Sequence, residues 1–245
     1  MSRPQFSPTR LTVSERVVYH LVRTIAVGLS RLYFPGSVKG RENLPMEGGC
    51  IVAPVHRSYV DWLIVARITR ARRLRYIVKE EVWKSKLIGR VLEACGCFPV
   101  NRSGADREAL ERCRRVLEDG EVLVMFPEGT RRSGPVVEDL KDGLAYLSLR
   151  TGAPIIPVGI GGSERAMPRG SRFPRPRRVN VVIGPPVAAP LSSLAAGDDE
   201  AAGSADRAAV RRRARVGRAA VTEQSLRATK AVQQAFDAAE SSLRN

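Results

Sequence analysis

Short apolar runs recur along the chain at Cys50–Ala53, Leu74–Val78, Cys97–Val100, Glu121–Phe126, Ile155–Ile160 and Val179–Ile183. Stretches of helical length at 58–69, 81–94, 104–119 and 138–151 separate most of them. Short apolar runs bounded by turn formers read as buried strands, and strands alternating with helices build a parallel sheet. The pattern therefore predicts an α/β fold, with a mostly parallel central sheet flanked by helices. The run after Asp119-Gly120 is the clearest strand, because that glycine suits a helix stop.

Upstream the period changes to that of a helix. Over residues 14–33, Val18, Leu21, Val22, Ile25, Leu29, Leu32 and Tyr33 share one face, and Arg16, His20, Arg23, Thr24, Ser30 and Arg31 share the other. Such a helix either packs on the core or lies on a bilayer with its arginines reaching anionic headgroups. Downstream, Gly162–Arg178 is rich in Gly, Pro and Arg, and Gly184-Pro185-Pro186 ends the last strand. Residues 187–205 are rich in Ala, Ser, Gly and Asp, and 206–243 in Ala, Arg and Gln with weak apolar periodicity. These shifts divide the chain into an N-terminal membrane-surface helix (1–34), an α/β domain (35–190), a linker (191–205) and a basic helical tail (206–245) whose docking the pattern leaves open. No internal repeat is present.

Composition narrows the partners. An apolar fraction of 43% suits a globular domain and excludes a disordered one. Lys+Arg 41 against Asp+Glu 25 gives +16, a surface suited to nucleic acid, an anionic bilayer or phosphorylated substrates. An Arg- and Ala-rich usage of this kind also arises from genome base composition alone. The basic cluster Arg211, Arg212, Arg213, Arg215 and Arg218 lacks nucleic-acid-binding patterning, and stacking aromatics are scarce, so no nucleic-acid partner is expected. Cys50, Cys95, Cys97 and Cys113, with two histidines, form neither a disulfide framework nor a zinc spacing, so no metal is expected and a reducing compartment is. The first ten residues are polar and give no secretory signal. The best apolar stretch, between Arg23 and Arg31, falls far short of the roughly 20 residues a transmembrane helix needs. The expectation is a peripheral protein on the cytoplasmic face of the cell membrane.

The chemistry gathers where strands end, the usual place for function in a parallel sheet. Val55-His56-Arg57-Ser58-Tyr59-Val60-Asp61 follows the first strong strand. Asp61 can reach back from the first helical turn to one ring nitrogen of His56, leaving the other as a general base. The same residues fit a second reading, a helix capping box with Ser58 at the N-cap and Asp61 at the third helical position. Phe126-Pro127-Glu128-Gly129-Thr130-Arg131 follows another strand, with a glycine for close approach of backbone to a ligand and an arginine fork for phosphate. Lys79 and Arg102 follow two further strands. Parallel strands would bring all these ends to one sheet edge.

The ordered blocks HRSYVD, GCFPVNR, FPEGTR and Ile156-Pro157-Val158-Gly159-Ile160 resemble the glycerophospholipid acyltransferase family, most closely its bacterial 1-acylglycerol-3-phosphate members, over residues 35–190. The resemblance implies transfer of an acyl group from acyl-CoA or acyl carrier protein to a glycerol-phosphate hydroxyl at an anionic membrane surface, yielding phosphatidic acid, with no cofactor. It implies that His56 is the base and Asp61 its orienting partner. It assigns the acceptor phosphate to Lys79, Arg102 and Arg131, and the shaping of the acceptor site to Glu128, Gly129 and Thr130. Val55 stands where members often carry Asn, and the HRS form also occurs among glycerol-3-phosphate and dihydroxyacetone-phosphate acyltransferases. Neither the acyl-chain length nor the donor is written in a motif.

Overall fold

The structure, a computed structural model, describes residues 13–69, 71–84, 89, 92–93, 96–100, 107–138, 140–190 and 207–244. Its first element is α1 (Val13–Tyr33), followed by β1 (Val38–Lys39), β2 (Cys50–Pro54), α2 (Asp61–Val65), β3 (Leu74–Lys79) and β4 (Phe98–Val100). Then come α3 (Arg107–Glu118), β5 (Val122–Val124), α4 (Gly143–Thr151), β6 (Ile155–Gly161), α5 (Ser163–Ala166), β7 (Asn180–Ile183) and α6 (Arg207–Ser241).

The strands form one sheet in the order β1-β7-β6-β2-β5-β3-β4. Neighbours are parallel except β6 and β7. The five strands β6-β2-β5-β3-β4 thus run the same way and deliver their C-terminal ends to one edge. Every residue of β2, β5 and β6 is buried, as expected of parallel strands covered on both faces. The sequence pattern foresaw this α/β architecture, although the two-residue β1 carried no signal. The expected helix over 58–69 is shorter, with α2 confined to Asp61–Val65 and followed by turns.

The terminal helices sit differently on this sheet. On α1 the buried residues are Tyr19, Val27 and Ser30, and Arg23 donates to the carbonyl of Ala66 (3.1 Å) at the end of α2. Arg23 and Ser30, expected on a face turned away from the protein, therefore face it. Buried Arg67 donates to the carbonyls of Phe34 (3.0 Å) and Gly36 (2.9 Å), satisfying groups left free where α1 ends. The aliphatic stripe points to solvent: Leu21 is 58%, Ile25 53% and Leu32 83% exposed. No described helix is long and apolar enough to cross a membrane.

The second half of α6 is part of the core. Ala228, Val232, Ala235, Phe236 and Ala239 are buried at helical spacing against β6 and β7. Gly159 and Gly161 make that approach possible, since a Cβ on Gly159 would lie 1.9 Å from the Ala235 carbonyl oxygen and one on Gly161 2.5 Å from Ala239. Buried Gln224 donates to Ser148 Oγ (3.3 Å) on α4 and to the Ala188 carbonyl (3.2 Å). The domain thus continues past residue 190 into the helix that the sequence divided off as a tail. The side chains of Arg211, Arg212, Arg213 and Arg215, and residues 191–206, lie outside the described residues.

Candidate active site

Because β2 lies between β6 and β5, the segments leaving β2 and β5 emerge side by side, and the ring of His56 sits 4.2 Å from that of Phe126, centroid to centroid. His56 Nδ1 lies 3.0 Å from Asp61 Oδ2. Asp61 is wholly buried as the first residue of α2, and its Oδ2 also accepts the backbone N–H groups of Arg57 and Ser58, each at 2.7 Å. An ionised carboxylate can only accept, so Nδ1 is the protonated ring nitrogen and Nε2 keeps its lone pair. The His56 side chain is 18% exposed, enough to meet a substrate without being bathed in water.

The capping alternative is half realised. Ser58 N–H does bond Asp61, but the N-cap is Val60, and Ser58 Oγ donates to the Met167 carbonyl (2.9 Å) instead of closing a reciprocal box. One carboxylate both closes the turn and orients the ring. Its five-residue separation from His56 arises because the chain turns sharply between strand and helix.

Arg57, which carried no signal in the sequence, organises the site from beneath. Its Nη1 donates to both oxygens of Glu128 (2.7 and 2.6 Å), Nε to the Gly134 carbonyl (3.0 Å) and Nη2 to the Val136 carbonyl (2.9 Å). Glu128 Oε2 in turn accepts the His56 backbone N–H (3.2 Å). Both side chains are fully buried, so each charge depends on the other. The link is reinforced where Arg132 N–H donates to the His56 carbonyl (2.9 Å). Glu128 therefore fastens the third block to the first.

Helix α6 closes the arrangement. Phe236 lies under the Arg57 guanidinium, 5.1 Å from its carbon to the ring centroid. Gln233 accepts from Val137 N–H (2.7 Å) and donates to the Pro135 carbonyl (3.0 Å), pinning the loop that holds Arg57. None of this was legible in the weak apolar pattern of 206–243.

The remaining expected residues divide by position. Gly129 adopts a left-handed φ of 68° in a turn closed by its N–H to the Phe126 carbonyl (3.1 Å), and Thr130 beyond it is exposed. The Arg131 guanidinium stacks on the Tyr59 ring (3.2 Å to the centroid), which couples the two blocks again. Its Nη1 is buried without a hydrogen-bond partner among the described residues. That is an unsatisfied cationic donor, the property a phosphate site requires. Lys79 ends β3, beside β5, on the same sheet edge, while its side chain and the whole of Arg102 lie outside the described residues. Cys50 begins β2, at the far end of the strand from His56, and burial pushes its thiol up to about 11, so it is no nucleophile at neutral pH.

The chain is similar to known proteins over much of its length. The chain is 29% identical over 154 residues to the 1-acyl-sn-glycerol-3-phosphate acyltransferase of Bacillus subtilis (strain 168), a match covering 62% of this chain and 74% of that one. It is 26% identical over 160 residues to the chloroplastic 1-acyl-sn-glycerol-3-phosphate acyltransferase BAT2 of Brassica napus, covering 64% of this chain and 46% of that one. The chain thus spans less than half the length of that plant relative. In fold it is similar to the crystal structure of PlsC, the 1-acyl-sn-glycerophosphate (LPA) acyltransferase from Thermotoga maritima, with a TM-score of 0.61 at 23% identity over 89% of this chain and 80% of that one. The Acyltransferase family profile matches residues 37–161, just over half of the sequence and both blocks around His56 and Glu128, and the chain belongs to that family.

Proposed function

We propose that the protein transfers an acyl group from a thioester, acyl-CoA or acyl carrier protein, to the free hydroxyl of 1-acylglycerol-3-phosphate. The observation that carries this reading is the His56–Asp61 pair at a strand end, with a buried aspartate holding Nδ1 at 3.0 Å. The names of the relatives supply the acceptor.

In this mechanism His56 Nε2 takes the proton of the acceptor hydroxyl as its oxygen attacks the thioester carbonyl. Asp61 stabilises the imidazolium that results. The tetrahedral intermediate collapses with loss of the C–S bond, and the imidazolium returns its proton to the departing sulfur. A thioester is already activated, so the reading assigns no metal and no cofactor. Arg131 holds the acceptor phosphate, joined by Lys79 and Arg102 on the family resemblance. Fixing that headgroup converts an encounter into a positioned attack, a large share of what such a site can contribute.

The acceptor is a lipid, and the exposed stripe of α1 supports a peripheral location on the cytoplasmic face of the membrane. There the aliphatic side chains enter the acyl boundary, and Arg16, exposed on the same helix, reaches anionic headgroups. Arg23, held on Ala66, takes no part.

The test is an acyl-transfer assay with 1-acylglycerol-3-phosphate and glycerol-3-phosphate as acceptors and both thioester donors. His56→Ala and Asp61→Asn should lower kcat by ~10²–10⁴-fold, His56→Ala with little change in melting temperature and Asp61→Asn with some loss, since its carboxylate also closes the turn. Activity retained by Asp61→Asn alongside a lowered melting temperature would leave Asp61 only its role in the turn. Arg131→Ala should raise KM for the acceptor and not for the donor, with Arg131→Lys rescuing in part because a point charge cannot replace a fork.

A further inference from the structure

Beyond Met167, whose carbonyl accepts from Ser58 Oγ, the Gly-, Pro- and Arg-rich stretch before β7 has no part in the site, yet it is built. Arg169, Arg172, Arg175, Arg177 and Arg178 are all exposed, and no acidic residue occurs between Arg165 and Ile183. None of the five arginines has a carboxylate partner among the described residues. Phe173 stands among them 78% exposed. The backbone around it is fixed: Ser171 N–H donates to the Pro168 carbonyl (3.0 Å), Ser171 Oγ to the Phe173 carbonyl (3.0 Å) and Arg175 N–H to the Ala166 carbonyl (2.7 Å).

This loop lies against the end of α1. Tyr33 OH donates to the Pro174 carbonyl (2.9 Å), Val179 N–H to the Pro35 carbonyl (2.8 Å) and Val181 N–H to the Ser37 carbonyl (2.9 Å). The cations and the bare phenylalanine therefore border the C-terminal end of the stripe that includes Leu29 and Leu32.

We propose that the loop 168–178 is a second membrane contact, which binds anionic lipid phosphates through its arginines and inserts Phe173 at the headgroup boundary. An apolar wedge rimmed by unpaired cations and continuous with an aliphatic stripe has the composition of an interfacial anchor. An acidic protein would complement the charge and leave Phe173 and the adjoining stripe unexplained. Two contacts on different elements fix how the domain sits on the bilayer, which one helix lying alone cannot do, because it can roll about its axis. The inference rests on the membrane reading of α1, and its test separates the two.

Sedimentation of the full chain with vesicles of phosphatidylcholine alone, or with about one third phosphatidylglycerol, reads the contacts apart. Combining Arg172→Gln, Arg175→Gln and Arg177→Gln should lower partitioning onto the phosphatidylglycerol vesicles ~100-fold at low salt, at about fivefold per charge, and leave phosphatidylcholine binding unchanged. The corresponding Arg→Lys triple should restore binding, and Phe173→Ala should weaken it about tenfold on both vesicles. Circular dichroism and melting temperature verify the fold of each variant. Leu29→Gln with Leu32→Gln tests α1 alone: loss there with an unaffected loop triple overturns the loop contact and leaves the helix reading intact, and the reverse result sinks the helix reading and leaves the loop. A Gln triple that binds both vesicles like wild type overturns the proposal. So does one that keeps vesicle binding and loses capture of acyl carrier protein, which would assign the loop to an acidic protein.

Discussion

The two terminal helices reverse what their sequences suggest. Helix α1 has a clean apolar face and turns it to solvent, packing on the domain through Tyr19, Arg23, Val27 and Ser30. Helix α6 has a weak pattern and buries Ala228, Val232, Ala235, Phe236 and Ala239 in the domain. Periodicity reports how side chains are segregated around a helix, and does not say which side meets protein. Small residues give little hydrophobic signal, yet alanine facing glycine brings backbones close enough to add dense dispersion contacts.

The strongest way to break this comparison is Gly159→Val. Its Cβ would meet the Ala235 carbonyl at 1.9 Å, and neither strand nor helix can shift without disturbing the sheet centre. A loss upwards of about 4 kcal/mol is expected in urea titration, enough to leave little folded protein. An unchanged midpoint would show that α6 is dispensable.

Phe236→Ala comes next, at about 3–4 kcal/mol for a buried ring. Because the ring also supports Arg57, kcat should fall at temperatures where the variant is still folded, whereas Phe236→Leu should recover much of the stability. Stability loss with kcat intact would separate α6 from the site.

Gln233→Ala is smaller. It strands the Val137 N–H and should cost about 1–2 kcal/mol, with KM or kcat moving as the 134–137 loop loosens under Arg57. Hydrogen exchange of the Val137 amide is the direct readout.

The smallest effect belongs to α1. Leu21→Asp and Ile25→Asp should each alter stability by no more than ~0.5 kcal/mol, since both side chains already face water. Pelleting with anionic liposomes should nevertheless be lost. If both variants unfolded, the stripe would be core and the contrast between the helices would disappear.

The His56–Asp61 pair was readable because its geometry is local: a strand, a turn and a carboxylate five residues beyond a histidine leave few arrangements open. Arg57 and Glu128 were opaque in different ways. An arginine beside a strand-end histidine resembles a solvated or substrate-binding charge, and only the adjacency of β2 and β5 turns it inward onto a glutamate 71 residues away. Glu128, expected to shape the acceptor site, accepts from the His56 amide and from Arg57, contacts that its block of sequence did not disclose.

The sequence by itself determined the α/β class and the pairing of His56 with Asp61 at a strand end, because periods of hydrophobicity and short-range spacing are local properties of a chain. The tertiary structure alone decided that the α1 stripe faces out, that α6 belongs to the core, and that Arg57 and Glu128 form one buried link beneath His56. Each of these depends on which strands are neighbours and which surfaces have room to meet, and that is set by the packing of the whole chain.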